Sequence, residues 1–285
     1  MKIAIASGKG GTGKTLVATG IAQSFAGAQT VLVDADVEEP NAGLFIPHTR
    51  TGTREVSRYV PRIEPELCNY CAYCAEICQF NALVVLPEQV MVFDELCHSC
   101  GACEFLCPQH AIYEAEHPIG IIEEARFNEA VLLTGRLAVG EAQSPPLIKA
   151  VKEQAGDAEL VLVDCPPGTT CPMVEAISDC DHCILVTEPT PFGLHDLALS
   201  LQACDMVNVP CSILINRDRG DSLNVAELAA QYQAPIIGRI PYNEDLARAY
   251  ARGENPTTVF PELETIWQDV IAACKEAVSC KKSWS

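Results

Sequence analysis

An apolar run, Ile3-Ala4-Ile5-Ala6, leads directly into Gly8-Lys9-Gly10-Gly11-Thr12-Gly13-Lys14-Thr15, and few folds accommodate that junction. It predicts a short buried strand, a tight glycine turn and a helix starting near Lys14. The octet fits G-x-x-x-x-G-K-[ST], a phosphate-binding loop. Gly8, Gly10, Gly11 and Gly13, with Thr12 between them, let successive backbone N–H groups turn inward onto phosphate oxygens. The positive end of the helix stands behind them. Lys14 is placed to reach the β- and γ-phosphates of a nucleotide, and the Thr15 hydroxyl to ligate Mg²⁺. The octet also contains G-x-G-x-x-G (Gly8, Gly10, Gly13), with Asp34 about 20 residues on, as in a dinucleotide-binding fold. Lys14-Thr15 decides between the two, because a dinucleotide turn has no need of that pair.

Two further apolar runs end in acids. Thr30-Val31-Leu32-Val33-Asp34 continues into Ala35-Asp36, and Leu160-Val161-Leu162-Val163-Asp164 continues into Cys165-Pro166-Pro167-Gly168. An open parallel sheet presents groups to its ligand at the C-terminal ends of its strands. Asp164 reads as the acid that holds Mg²⁺. The plainer alternative, an acid that merely caps a following helix, applies to Asp34 and Asp36 more readily than to Asp164.

Together these pieces resemble the MinD/ParA-type ATPases, with Lys9 making the loop a deviant Walker A, KGGTGKT. Residues 7–15, Asp34-Ala35-Asp36, Asp164 to Gly168, Glu188 to Gly193, Asn216-Arg217 and Ile240-Pro241-Tyr242-Asn243 carry the likeness. The resemblance implies a mostly parallel α/β sheet with helices on both faces, and two subunits sandwiching two ATP molecules. It implies that Lys9 crosses to the partner's phosphates, although a solvated loop lysine is the plainer reading. By the same likeness Asp36 orients the attacking water, Gly168 senses the γ-phosphate and Asp34 joins Thr15 and Asp164 at Mg²⁺. Asn216 hydrogen-bonds adenine, and the segment from Pro241 lies over the base.

Between these stretches lies a different signal. Cys68-x2-Cys71-x2-Cys74-x3-Cys78 recurs as Cys97-x2-Cys100-x2-Cys103-x3-Cys107, all four cysteines and Ala82→Ala111 shifted by 29 residues. Such a repeat marks an internal duplication. The spacing resembles a bacterial two-cluster ferredoxin. That likeness implies two [4Fe–4S] clusters, each taking its fourth thiolate from the other repeat: Cys68, Cys71, Cys74 and Cys107 for one, Cys97, Cys100, Cys103 and Cys78 for the other. The competing reading is paired zinc knuckles with tetrahedral four-cysteine sites. Gln79 stands where the ferredoxin pattern usually has proline, which removes no ligand. The remaining eight of the 16 cysteines are scattered and read mainly as small packing hydrophobes.

The charge of −19 is unevenly spread: from Glu64 to His117 there are nine carboxylates and no lysine or arginine. A surface of one sign disfavours unaided binding to nucleic acid or an anionic membrane. It suits docking to a basic redox partner and lowers cluster potentials, though a solubility surface would look the same. The N-terminus leaves no room for a signal peptide, so a cytoplasmic place is expected, where many cysteines point to metal rather than disulfides.

The 285 residues thus read as a discontinuous α/β ATPase domain, 1–60 and 119–285, interrupted by a small α+β ferredoxin-like module, 61–118. Residues 47–63, with Pro, Gly and Thr, read as the link into the insert. Pro261 to Val278 carries Leu263, Ile266, Trp267, Val270, Ile271 and Cys274 at helical spacing, predicting a helix packed on the domain rather than on a membrane. The functional expectation is an ATP/ADP- and Mg²⁺-binding protein that dimerises on ATP and couples that cycle to its clusters, in electron transfer to a protein partner. The alternatives are a positioning ATPase with redox-sensing clusters, or a carrier that delivers clusters.

Overall fold

The computed structural model describes residues 1–220 and 222–282. Apolar five-residue strands, β1 (Lys2–Ala6), β2 (Thr30–Asp34) and β8 (Leu160–Asp164), form the centre of a nine-stranded sheet. The other strands are β3 (Thr49–Ile63), β6 (Ile112–Phe127), β7 (Ala130–Leu137), β9 (His182–Thr187), β10 (Cys211–Asp218) and β11 (Ile236–Pro241). Their order is β11-β10-β9-β1-β8-β2-β7-β6-β3. The seven strands from β11 to β7 are parallel, and β6 and β3 add an antiparallel edge. A parallel sheet needs cover on both faces, and side-chain alternation provides it. Ala4, Ala6, Val31, Val33, Val161 and Val163 face one core, under α4 (Pro145–Gln154), α5 (Cys171–Ile177), α6 (Pro191–Met206) and α7 (Leu223–Gln231). Ile3, Ile5, Leu32, Leu162 and Ile184 face the other, under α1 (Lys14–Ser24) and α10 (Glu262–Lys282).

The C-terminal helix packs as its pattern predicts, burying Leu263, Trp267, Val270, Ile271 and Cys274. Gly20 on α1 makes room for it, because a Cβ there would lie 2.8 Å from the Trp267 ring. Among the described residues, no helix is long and apolar enough to cross a membrane. The side chains of Cys280, Lys281 and Lys282 lie outside the described set.

The expected link at 47–63 is instead β3, which pairs with β6 from Thr49↔Arg126 to Ile63↔Ile112. Its β-branched and aromatic residues suit a strand. Pro61 is tolerated because an edge strand needs no ladder bond on its outer side. Val56, Arg58 and Val60 alternate inward. The ladder continues past residues 60 and 118, with register shifts at Arg50/Gly52 and Val56/Ser57, so the nine-stranded sheet and the cysteine segment share one ribbon.

Beyond that ribbon the chain forms α2 (Tyr73–Ile77), the hairpin β4 (Leu83–Leu86) and β5 (Gln89–Val92), and α3 (Ala102–Phe105). Two further helices, α8 (Glu244–Ala251) and α9 (Pro256–Val259), follow β11.

Candidate functional site

The chain leaves β1 at Ala6, turns through residues 7–13 and enters α1 at Lys14. Gly11 (φ 77°) and Gly13 (φ 102°) adopt left-handed backbone. At Gly13 a Cβ would also run into the Asn216 side-chain amide. No side chain caps the start of α1, so its first N–H groups are free to meet an anion. The Thr12 hydroxyl is buried without a hydrogen-bond partner, and Lys14 is only 7% exposed. An orphaned donor and a buried cation on this loop fit a phosphate.

Asp34 and Asp164 are Cα partners on adjacent strands and both are buried. Asp34 accepts a bond from the Ala42 N–H at 2.9 Å through Oδ2, while its Oδ1 and both Asp164 oxygens have no hydrogen-bond partner. Burial pushes the Asp164 carboxyl up to about 7, against the downward pull of Thr15 and Lys14. Thr15 lies against it but outside hydrogen-bond geometry. Burial, and next the neighbouring Asp164, hold Asp34 well above its usual range. Asp36 is half-buried and also raised by burial, with Lys14 opposing. Buried carboxylate oxygens without donors call for a cation, and oxygen-only ligands suit Mg²⁺. The residues therefore fit the metal.

Sequence reasoning missed Tyr250. Its ring stacks on Phe45 with centroids 4.1 Å apart. Burial and then Asp164 push its phenol up, while the neighbouring Thr15 side chain pulls it down. Only the fold of α8 over the loop at 42–46 brings Tyr250 here, and nothing in its local pattern signals Thr15.

The remaining predicted residues fall around this centre. Asn216, 4% exposed, donates through Nδ2 to the Thr12 carbonyl at 2.7 Å and accepts from the Arg217 N–H at 2.9 Å. It thus braces the glycine loop. The Gly168 N–H donates to the Ser7 carbonyl at 3.1 Å, so sensing a phosphate would first require that bond to break. Lys9 is half-buried on the loop, its carbonyl accepting from the Ser7 hydroxyl at 2.6 Å. Pro241 ends β11 in an exposed position, next to Tyr242, whose ring carries the Arg219 guanidinium 3.9 Å from its centroid.

The cysteine segment folds as two hollows. One is lined by Cys68, Cys71, Cys74 and Cys107, the other by Cys97, Cys100, Cys103 and Cys78. The 29-residue repeat is present in the backbone as well. Left-handed residues recur as Tyr70/Ser99, Ala72/Gly101 and Asn81/His110. N–H···S bonds recur from Tyr70 to Cys68 and Ser99 to Cys97, both 3.4 Å, and from Ala82 to Cys78 (3.3 Å) and Ala111 to Cys107 (3.4 Å). Amides aimed at sulfur stabilise thiolate, the form that ligates metal. Among the described residues, no group of three or more His, Cys, Asp or Glu is arranged to hold a single metal ion. Four thiols and N–H···S donors around each hollow fit a larger inorganic group.

Of the other cysteines, Cys165, Cys180, Cys183, Cys204 and Cys274 are buried as expected, and Cys211 is half-buried. Cys171 departs from the packing reading: it is exposed at the start of α5.

Comparison with known proteins bears on the loop and the sheet. A family model described as the CobQ/CobB/MinD/ParA nucleotide binding domain matches residues 3–257. An uncharacterized protein of Methanocaldococcus jannaschii is 34% identical over 255 residues, 88% of each chain. A cytosolic Fe-S cluster assembly factor Nubp1 homolog of Drosophila pseudoobscura is 25% identical over 127 residues, 36% of this chain and 41% of the relative. Among solved structures, the septum site-determining protein MinD of Pyrococcus horikoshii complexed with Mg-ADP has a TM-score of 0.55 at 19% identity, covering 96% of this chain and 94% of that one.

Proposed function

The chain belongs to the CobQ/CobB/MinD/ParA nucleotide-binding domain family, and from that premise we propose that it is a Mg²⁺-dependent ATPase whose dimer cycle is coupled to two [4Fe–4S] clusters, in electron transfer to a protein partner. The single observation that carries the reading is the pair of four-cysteine hollows built on the same ribbon as the nucleotide sheet.

On this reading residues 1–60 and 119–285 form the ATPase body and 61–118 the ferredoxin-like unit. The loop N–H groups of residues 8–13 and the Lys14 ammonium hold the phosphates. Thr15, Asp34 and Asp164 hold Mg²⁺, which when bound neutralises charge on the β- and γ-phosphates. Asp36 orients water, and Lys9 reaches the second subunit's phosphates. Gly168 trades its Ser7 bond for a phosphate oxygen. Asn216 and Pro241 border the base, with Asn216 also bracing the loop from behind. Cys68, Cys71, Cys74 and Cys107 hold one cluster, and Cys97, Cys100, Cys103 and Cys78 the other. The clusters, when bound, supply one-electron chemistry at low potential in their acidic setting.

The test is anaerobic loading with iron and sulfide, followed by EPR of the reduced chain with and without Mg·ATP. Two cluster signals that respond to nucleotide support the reading, and absent or nucleotide-blind signals refute it. The stretch shared with the Nubp1 homolog favours one second reading, a cluster carrier. Clusters that resist chelators and never pass to an apo-acceptor would exclude it.

A further inference from the structure

Arg58 interrupts the apolar inward face of β3, 5% exposed between Val56 and Val60. Its Nη1 donates to the Cys97 carbonyl at 2.8 Å. Its Nη2 donates to the Asp94 carbonyl at 2.7 Å and to Glu141 Oε1 at 3.2 Å. A second side chain meets the same cysteine: Gln143 Nε2 donates to the Cys97 carbonyl at 3.1 Å and to that of Glu95 at 3.0 Å. The buried Glu141 carboxylate is completed by the Gln143 N–H at 3.2 Å and by His117 Nε2 at 3.1 Å. Glu141 and Gln143 lie on the strap, residues 138–144, that joins β7 to α4.

Both ends of the strap are tied to the loop that follows Asp36. The Leu137 N–H donates to the Val37 carbonyl at 2.9 Å, and the Ser144 hydroxyl donates to Glu38 Oε1 at 2.9 Å. Both repeats share the local bonds: the Cys68 N–H donates to the Glu64 carbonyl at 3.2 Å and the Cys97 N–H to the Asp94 carbonyl at 3.0 Å, and their sulfurs accept from Tyr70 and Ser99. Of these two cysteines, among the described residues, only Cys97 also takes side-chain donors on its carbonyl.

We infer that the nucleotide site acts on one cluster only, the one held by Cys97, Cys100, Cys103 and Cys78, through the strap and its grip on the Cys97 carbonyl. The inference rests on reading the cysteine hollows as cluster sites and Asp34 and Asp36 as part of the nucleotide site. Arg58 and Gln143 are positioning residues in this scheme. A fixed cation beside a cluster favours the added electron, and in a buried setting a small change in its distance changes the potential. Displacement of Val37 and Glu38 pulls on the strap, and the strap carries Glu141 and Gln143. The Cys68 cluster, outside the reach of the strap's bonds to Glu95 and Cys97, is left to exchange electrons with the partner.

The test uses the full chain loaded with iron and sulfide, titrated with dithionite under EPR, alone and with Mg·ADP or Mg·AMP-PNP. Cys71→Ser and Cys100→Ser, each at an exposed ligand, assign the two signals. The expected result is a midpoint shift with Mg·AMP-PNP confined to the signal that Cys100→Ser perturbs. Glu38→Gln and Ser144→Ala each keep full iron content and lose that shift. Both are mild: Glu38 is exposed, and the Ser144 hydroxyl caps no helix. Arg58→Gln lowers the nucleotide-free midpoint of the same signal alone. A shift equal in both clusters, confined to the Cys71-sensitive one, or surviving in both strap variants overturns this inference while sparing the coupling. A chain that takes up no clusters, or clusters that ignore nucleotide, overturns both readings together.

Discussion

Asp34 and Asp164 stand side by side, in register, as the last residues of adjacent parallel strands, with three of their four carboxylate oxygens buried and without a donor. Burial disfavours ionising either carboxyl, and Asp34 also feels the charge of Asp164. Asp164 is raised from 3.8 to about 7, whereas in the unfolded chain it ionises near its ordinary value. The folded chain therefore holds more protons than the unfolded chain between those limits, and its metal-free stability falls as pH rises from about 4 to about 7. At about 1.4 kcal/mol per pKa unit, the loss is on the order of a few kcal/mol. Urea midpoints across that range show it for the wild type, and Asp164→Asn flattens the slope.

The same protons compete with Mg²⁺. Mg·ADP affinity rises with pH through about 7, and binding releases protons. Calorimetry in two buffers of different ionisation enthalpy measures the release directly, and Asp164→Asn reduces it.

Lys14→Ala abolishes nucleotide binding, because the loop loses the buried cation at its centre. Lys9→Ala leaves binding intact and loses dimerisation-linked hydrolysis, by about 10³-fold if it acts as an arginine finger does. Titration calorimetry and single-turnover hydrolysis separate the two. Unimpaired hydrolysis in Lys9→Ala contradicts the crossing role.

Asn216→Ala removes the donor that holds the Thr12 carbonyl at 2.7 Å. Leaving a buried carbonyl unpaired costs about 1–3 kcal/mol, and nucleotide affinity falls by about 5- to 100-fold, with little change in metal preference. A change confined to the base, seen by comparing ATP with GTP, would instead favour Asn216 as an adenine contact alone.

Gly20→Ala is destabilising although alanine is the better helix former by about 1 kcal/mol. Its Cβ meets the Trp267 ring at 2.8 Å, and overpacking costs about 1–3 kcal/mol. Urea denaturation gives the sign, and Trp267→Phe in the same chain restores part of the loss.

The strand–loop–helix junction, the acids at strand ends and the 29-residue cysteine repeat were legible because each is a local pattern with a fixed spacing. Tyr250 and Arg58 were not. Each reaches its partners from a distant part of the chain, Tyr250 against Phe45 and Arg58 against Cys97 and Glu141. A lone tyrosine on a helix or arginine in a strand carries no local signal of such a partner. Residues 47–63 misled for a related reason: their Pro and Gly imitate a linker, and only pairing with β6 makes them a strand. Asn216 stood out only through the family likeness, and its bond to Thr12 depends on two loops meeting.

The central claim is that nucleotide state and cluster state are coupled within one chain. Its most direct measurement is the midpoint potentials of the loaded protein, by EPR-monitored titration, without nucleotide and with saturating Mg·AMP-PNP. Two [4Fe–4S] signals and a nucleotide-dependent shift in at least one of them are expected. Identical potentials in the two conditions would contradict the claim.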